Sequence, residues 1–255
     1  MTGHAERTSS RLTAIIWTMA ALATLGLIGL TFWFGVHLRE VTCSDASPYG
    51  VFFGAFQGAR TAADIWETFG VEPSSCRSTI LTTIDNLNRV DLYAYIPAYG
   101  LGLIGFLLAS PHAGRRGILW LGLTALAAAL VGDIVETSTQ LSITSQIANL
   151  RDATKPAIGS QSLVLLALGN TSKTTALPFV YLTLAILWFR RSILGNALAL
   201  ILLLGPAMRI YGFFGPIPGS VSQFASLLRN LVMLATAASL AIIQWLESRK
   251  VRDRL

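Results

Sequence analysis

The sequence predicts an all-α fold: a six-span transmembrane helix bundle with an extramembrane cap of short helices. Three observations predict it. Only 13% of the 255 residues are charged, about half the ~25% usual for a soluble domain. Hydrophobic residues make up 53%, and mean hydropathy is +0.59. These apolar residues fall in long charge-free runs, the pattern of membrane spans. Disorder is excluded, and a soluble globule is disfavoured.

The runs define the elements in order. Leu12 to Val36 is 25 residues without a charge, and Leu92 to Ser110 is 19. Ile118 to Gly132 is 15, with an apolar pattern that continues past Asp133. Thr174 to Phe189 is 16, Ser192 to Met208 is 17, and Leu231 to Leu246 is 16. A span needs about 20 mostly apolar residues, so the shorter runs must each take a flanking charge into the helix. The first run is too long for a signal peptide and lacks a small-x-small cleavage site, so it is expected to be a retained helix. The whole chain, residues 1–255, reads as a single membrane domain without internal repeats.

The connections set the orientation. Segments 1–11, 111–117, 190–191 and 247–255 are short and carry ten Lys/Arg against three Asp/Glu, net +7. The remainder carries nine Lys/Arg against ten Asp/Glu, net −1. The positive-inside rule then places both termini in the cytoplasm and residues 37–90 outside. The pI of 9.7 could suggest nucleic acid. The basic residues are split among four juxtamembrane segments and form no stripe, so no nucleic-acid partner is expected.

The loop over 37–90 is the expected cap. It holds both cysteines, Cys43 and Cys76. Two thiols in one loop facing an oxidising compartment predict a disulfide; the alternative is two unpaired thiols. Gly50, Gly54 and Gly58 recur every four residues and would share one helix face, which allows close backbone approach. That segment reads as a short interfacial helix or, alternatively, a re-entrant one. Thr61 to Phe69 reads as a short amphipathic helix. Ser74 or Ser75 can cap a helix whose Ile80, Leu81, Ile84 and Leu87 form one stripe; the stripe runs into the second span with no breaker before Pro97, so the second helix extends well outside the bilayer. Residues 137–172 form a second outside segment. There Asp133, Glu136, Thr137, Gln140 and Thr144 make a polar stripe and Ile134, Leu141, Ile147 and Leu150 line another face, so the third helix extends to about Leu150. Tyr211 to Ser220 reads as a tight outside turn.

Six ionisable residues share one depth. At about 1.5 Å per residue from the cytoplasmic helix ends, Asp133, Glu136, Asp91, Lys173, Arg209 and Arg229 all lie about 22–29 Å up. That is near the outer edge of a hydrocarbon core about 30 Å thick. Three are acidic and three basic. Asp133 and Glu136, three apart, share a helix face. Charges in spans are functional candidates by default, and three readings compete. The belt is a self-neutralising ion-pair network, in which Arg209 and Arg229 also snorkel; or it lines a polar cavity that binds a headgroup or solute; or its carboxylates are catalytic.

Absences narrow the chemistry. The histidines, His4, His37 and His112, all lie outside the spans. That disfavours membrane-embedded haem, a His-based metal site and a serine–histidine protease. Neither H-E-x-x-H nor G-x-x-x-x-G-K-[ST] occurs. Asp133-x-x-Glu136 with Asp91 is too thin a carboxylate set for a Mg²⁺-dependent lipid transferase, with three cations nearby. Val131-Gly132-Asp133 lacks the first Gly of the G-x-G-D motif of intramembrane aspartyl proteases. No metal and no cofactor are expected.

Asp91 opening one helix, Asp133/Glu136 in the next and Lys173 in the one after resemble an arrangement in a group of uncharacterised bacterial polytopic membrane proteins. The resemblance covers roughly residues 78–190. Thr137 stands where that group has Asn. The resemblance implies that these four residues act as a unit, and it implies no activity. The chain is thus expected to be a bacterial inner-membrane protein, non-catalytic, whose charged cluster binds an amphipathic ligand or a partner subunit. The alternatives are a lipid-active enzyme using Asp133/Glu136 and a small-solute transporter.

Overall fold

A computed structural model of the chain describes residues 2–39, 55–69, 75–110, 115–148, 158–189, 192–204, 206–207 and 219–252. The regular elements among them are helical, with no strand. They are α1 (Thr2–Arg39), α2 (Ala62–Phe69), α3 (Ser75–Val90), a π-helical turn (Asp91–Tyr95), α4 (Ile96–Ala109), α5 (Arg116–Ala148), α6 (Ser160–Trp188), α7 (Ile193–Leu202) and α8 (Gly219–Arg252).

Among the described residues, four helical segments are long and apolar enough to cross a membrane: Arg11–His37, Arg77–Ala109, Arg116–Ala148 and Leu227–Glu247. The expected fourth and fifth spans differ from these. α6 has 29 residues, about 43 Å of helix, but its middle is polar from Asn170 to Thr175. α7 has ten residues, only about 15 Å. The expected turn at Tyr211–Ser220 mostly lies outside the described residues, and its end is already helix, since α8 begins at Gly219.

Local chemistry explains the helix ends. α2 starts with a reciprocal cap. Thr61 Oγ1 accepts from the Asp64 amide at 3.2 Å, and Asp64 Oδ2 accepts from the Thr61 and Arg60 amides at 2.8 and 2.7 Å. Thr-x-x-Asp thereby satisfies donors that the first helical turn leaves orphaned. These bonds hold the Asp64 carboxyl below its ordinary pKa. Ser192 Oγ accepts from the Gly195 amide and caps α7. Pro97 is the first possible breaker along this helix, and the helix runs on through it into α4. Proline cannot supply an N–H to the preceding turn. The chain absorbs this by widening at Asp91–Tyr95, where the Ile96 amide bonds the Asp91 carbonyl five residues back.

The chain divides into two compact units. The first comprises residues 1–28, 98–127 and 176–255. Its close contacts depend on small residues: a Cβ on Gly105 would lie 2.8 Å from Ala20 Cβ, and one on Gly122 would lie 2.7 Å from Thr183 Cγ2. Trp17 meets Phe106 and Trp188 edge-on at 5.3 and 5.8 Å, and α7 packs on α8.

The second unit comprises residues 29–97 and 128–175. Its apolar core joins Phe56, Ile65, Trp66 and Phe69 to Ile80, Leu81, Ile84 and Leu87 of α3 and to Ile143 and Ile147 of α5. The α3 stripe expected from periodicity is therefore buried as a whole. Each such side chain contributes about 1.5–3 kcal/mol by leaving water. Buried Arg77 lies over the Trp66 ring and donates to the Ile147 carbonyl at 3.3 Å. Cys43, Gly50 and Gly54 fall outside the described residues, as does the side chain of Cys76, so the expected disulfide does too. Gly58, the described member of the glycine series, is exposed with nothing within 4 Å of a Cβ built on it.

Candidate functional site

The site lies in the second unit and is built where α5 and α6 cross. Gly132 and Gly169 meet there. A Cβ on Gly169 would fall 2.7 Å from both the Glu136 amide nitrogen and the Gly132 carbonyl. One on Gly132 would fall 2.8 Å from the Gly169 carbonyl. Only glycine lets the two backbones approach this closely. The pairs Gly132–Gly169 and Ala128–Ser172 show that the helices run antiparallel, and Ser172 Oγ donates to the Ala128 carbonyl at 2.9 Å.

This crossing positions the charges. Glu136 stands four residues after Gly132, and Lys173 four after Gly169. Each lies one turn along from its own glycine on the same face, and its backbone forms part of the contact: the Glu136 amide is 2.7 Å from a Cβ on Gly169 and the Lys173 amide 2.9 Å from one on Gly132. Lys173 Nζ donates to Asp133 Oδ1 at 2.8 Å. It also lies 2.6 Å from Glu136 Oε2, an ion pair outside hydrogen-bond alignment. Asp133 is 4% exposed and Glu136 fully buried. Gln140 Nε2 makes a long 3.5 Å contact with Glu136 Oε1.

A second polar seam joins α3 to α5. Thr137 Oγ1 donates to Asp91 Oδ2 at 2.9 Å, and Thr144 Oγ1 lies 3.4 Å from Asp85 Oδ1. These pairs also run antiparallel. Asn88 sits midway between Asp85 and Asp91, on their face, and opposite the level of Gln140. It is fully buried, and neither its Oδ1 nor its Nδ2 has a hydrogen-bond partner among the described residues. An orphaned buried amide costs about 1–3 kcal/mol.

Four of the six belt residues thus assemble around one stretch of α5. Asp133, Glu136 and Lys173 form a direct triad, and Asp91 joins through Thr137, the neighbour of Glu136. The two arginines do not join in the expected way. Arg209 lies outside the described residues. Arg229 belongs to the first unit, where its guanidinium lies over the Tyr181 ring at 4.5 Å. Its Nε is buried without a hydrogen-bond partner among the described residues.

The polar stripe of α5 proves to be its inner face. Glu136, Thr137, Gln140 and Thr144 are all at most 2% exposed. Val131 and Ile134 are exposed, although Ile134 was expected on the apolar face with Ile147, which is buried. Sequence reasoning missed the Gly132–Gly169 contact and Asn88. The usable signal was a glycine exactly one helical turn before a charged residue in two successive helices. Among the described residues no group of three or more His, Cys, Asp or Glu side chains forms a metal site. Comparison of the chain with protein-family models, curated proteins and solved structures returns no match.

Proposed function

We propose that this chain is a non-catalytic, multi-pass inner-membrane protein of six spans, with both termini cytoplasmic and residues 37–90 outside. Its Asp91–Asp133–Glu136–Lys173 cluster lies at the outer-leaflet level and holds the polar head of an amphipathic ligand or a partner subunit. The observation that carries this reading is the inverted polarity of α5 in the second unit. Its polar stripe is packed inward and paired, while Val131 and Ile134 of α5 and Val164 and Leu168 of α6 stay exposed. An aliphatic surface beside a polar cluster fits an amphiphile: the tail lies along the first and the head reaches the second.

Both carboxylates that an enzyme would use as a general base are engaged by the Lys173 ammonium. A base poised for proton transfer needs an accessible carboxylate, so pairing favours the non-catalytic reading over the lipid-active enzyme. A transporter of the common kind has helices broken near the midplane. Pro178 lies within continuous α6, which favours the same reading over the transporter. The test is native mass spectrometry of protein extracted in mild detergent. A lipid or subunit that stays bound to the wild type, and is lost on Asp91→Asn, is the expected result. Protein that flies free of lipid and partner, without loss of stability, refutes the proposal.

A further inference from the structure

We propose a sodium-ion site at the seam of α3 and α5, formed by the Asp91 carboxylate, the Asn88 amide oxygen and a backbone carbonyl freed at the π-helical turn. Two observations and one consequence of the π-helical turn meet there. Asp91 has no Lys or Arg within 4.0 Å among the described residues, and only one of its oxygens is taken, by Thr137. Asn88, three residues earlier on the same face, is fully buried, and both its amide atoms are unpartnered among the described residues. The π-helical turn opens at Asp91 and runs into Pro97, which brings no N–H. One carbonyl of that turn therefore lacks its helical donor. In the five-residue spacing it is that of Leu92, whose donor would be the amide of residue 97.

The chemistry selects the ion. All three donors are hard oxygens, which suit an alkali or alkaline-earth cation rather than a transition metal. One carboxylate among neutral oxygens balances a single positive charge. The lysine triad next door already spends its ammonium on two carboxylates, so it cannot neutralise Asp91 as well. Released carbonyls at an irregular turn are a recurrent means of holding Na⁺ within membrane helices. The ion would take Asn88 Oδ1, and a water in its shell would accept from Nδ2, so both orphaned atoms gain a partner. A shell of three protein oxygens is small, which favours Na⁺ over K⁺, whose larger radius calls for more ligands. The site shares Asp91 with the cluster proposed above to hold an amphipathic ligand, but Asn88 belongs to the ion site alone, and sodium retention is read separately from retention of a lipid or subunit.

The test uses the full chain in detergent. Melting is followed in sodium chloride, potassium chloride and choline chloride at equal ionic strength, and retention of radiolabelled sodium is measured on the same protein. Expected are a higher melting temperature in sodium chloride alone and one sodium retained per chain, displaced by unlabelled Na⁺ and not by K⁺. Both effects disappear in Asp91→Asn and in Asn88→Leu and persist in Asp85→Asn. Identical melting in sodium and choline salts with no sodium retained overturns the site, as does K⁺ acting as well as Na⁺. If Asp91→Asn does not fold, the wild-type retention and displacement measurement decides alone. A buried water in place of the ion gives neither effect and so also overturns it.

Discussion

Lys173→Met tests whether the triad holds the second unit together. The perturbation removes one ammonium and keeps the length and apolar stem of the side chain. It leaves Asp133, 4% exposed, and Glu136, fully buried, facing each other without a counter-ion. Removing one partner of a buried ion pair costs about 3–5 kcal/mol, because the remaining charge is stranded in low dielectric. A chain of this size shifts its midpoint by about 2–4 °C per kcal/mol, so a fall of roughly 6–20 °C is expected. Glu136→Gln alone also destabilises, since Lys173 then keeps only Asp133. The double variant Lys173→Met/Glu136→Gln recovers part of the loss, and adding Asp133→Asn recovers most of the rest. The assay is a double-mutant cycle on thermal unfolding in detergent, with a coupling of about 0.5–3 kcal/mol expected for contacting residues. Losses that add within about 0.5 kcal/mol would refute the pairing. A catalytic base would instead leave stability unchanged in Glu136→Gln.

Two further predictions concern the elements around the triad. Gly169→Leu forces a side chain into a space where even a Cβ lies 2.7 Å from the backbone of α5; it should cost about 1–3 kcal/mol and, by parting the helices, lower the Glu136–Lys173 coupling, whereas an unchanged coupling would show that the glycines do not position the charges. Asp64 has a carboxyl pKa lowered by the Arg60 and Thr61 amides, so its cap is at full strength above the unfolded value of about 3.9 and is lost as pH falls through the depressed one. Protection factors in Ala62–Phe69, taken relative to the intrinsic exchange rate at each pH, should therefore fall on acidification in the wild type and be low already at neutral pH in Asp64→Ala; equal protection in both would show that the cap is idle.

The helices and the triad were legible in the sequence for separate reasons. Apolar runs report burial or lipid contact directly, so the four long apolar helices stood out. Asp133, Glu136 and Lys173 were legible as a set because depth along a helix follows from counting residues. Depth fixes only one coordinate, however. It put Arg229 in the same belt, but which way that side chain turns depends on the neighbour it meets, and the neighbour is Tyr181. The inner face of α5 was legible as a stripe, but not as inner, because amphipathic periodicity has no sign: in water the apolar stripe faces the core, while in lipid the polar one can. Ile134 was misplaced for that reason. Gly132–Gly169 and Asn88 were hidden because each acquires meaning only from the register of two helices.

That register ties the observations into one device. The glycine contact brings α5 and α6 so close that a lysine one turn away reaches two carboxylates without leaving the protein interior. An ammonium shared this way is held by geometry, and its reach is used up. The third carboxylate, Asp91, then has only a hydroxyl among the described residues, beside an amide whose two polar atoms are unpaired. Low dielectric makes such a remainder costly. A charge balance left open at one seam while its neighbour is closed by three residues is therefore a reason to look for a bound cation at Asp91, rather than for a defect in packing.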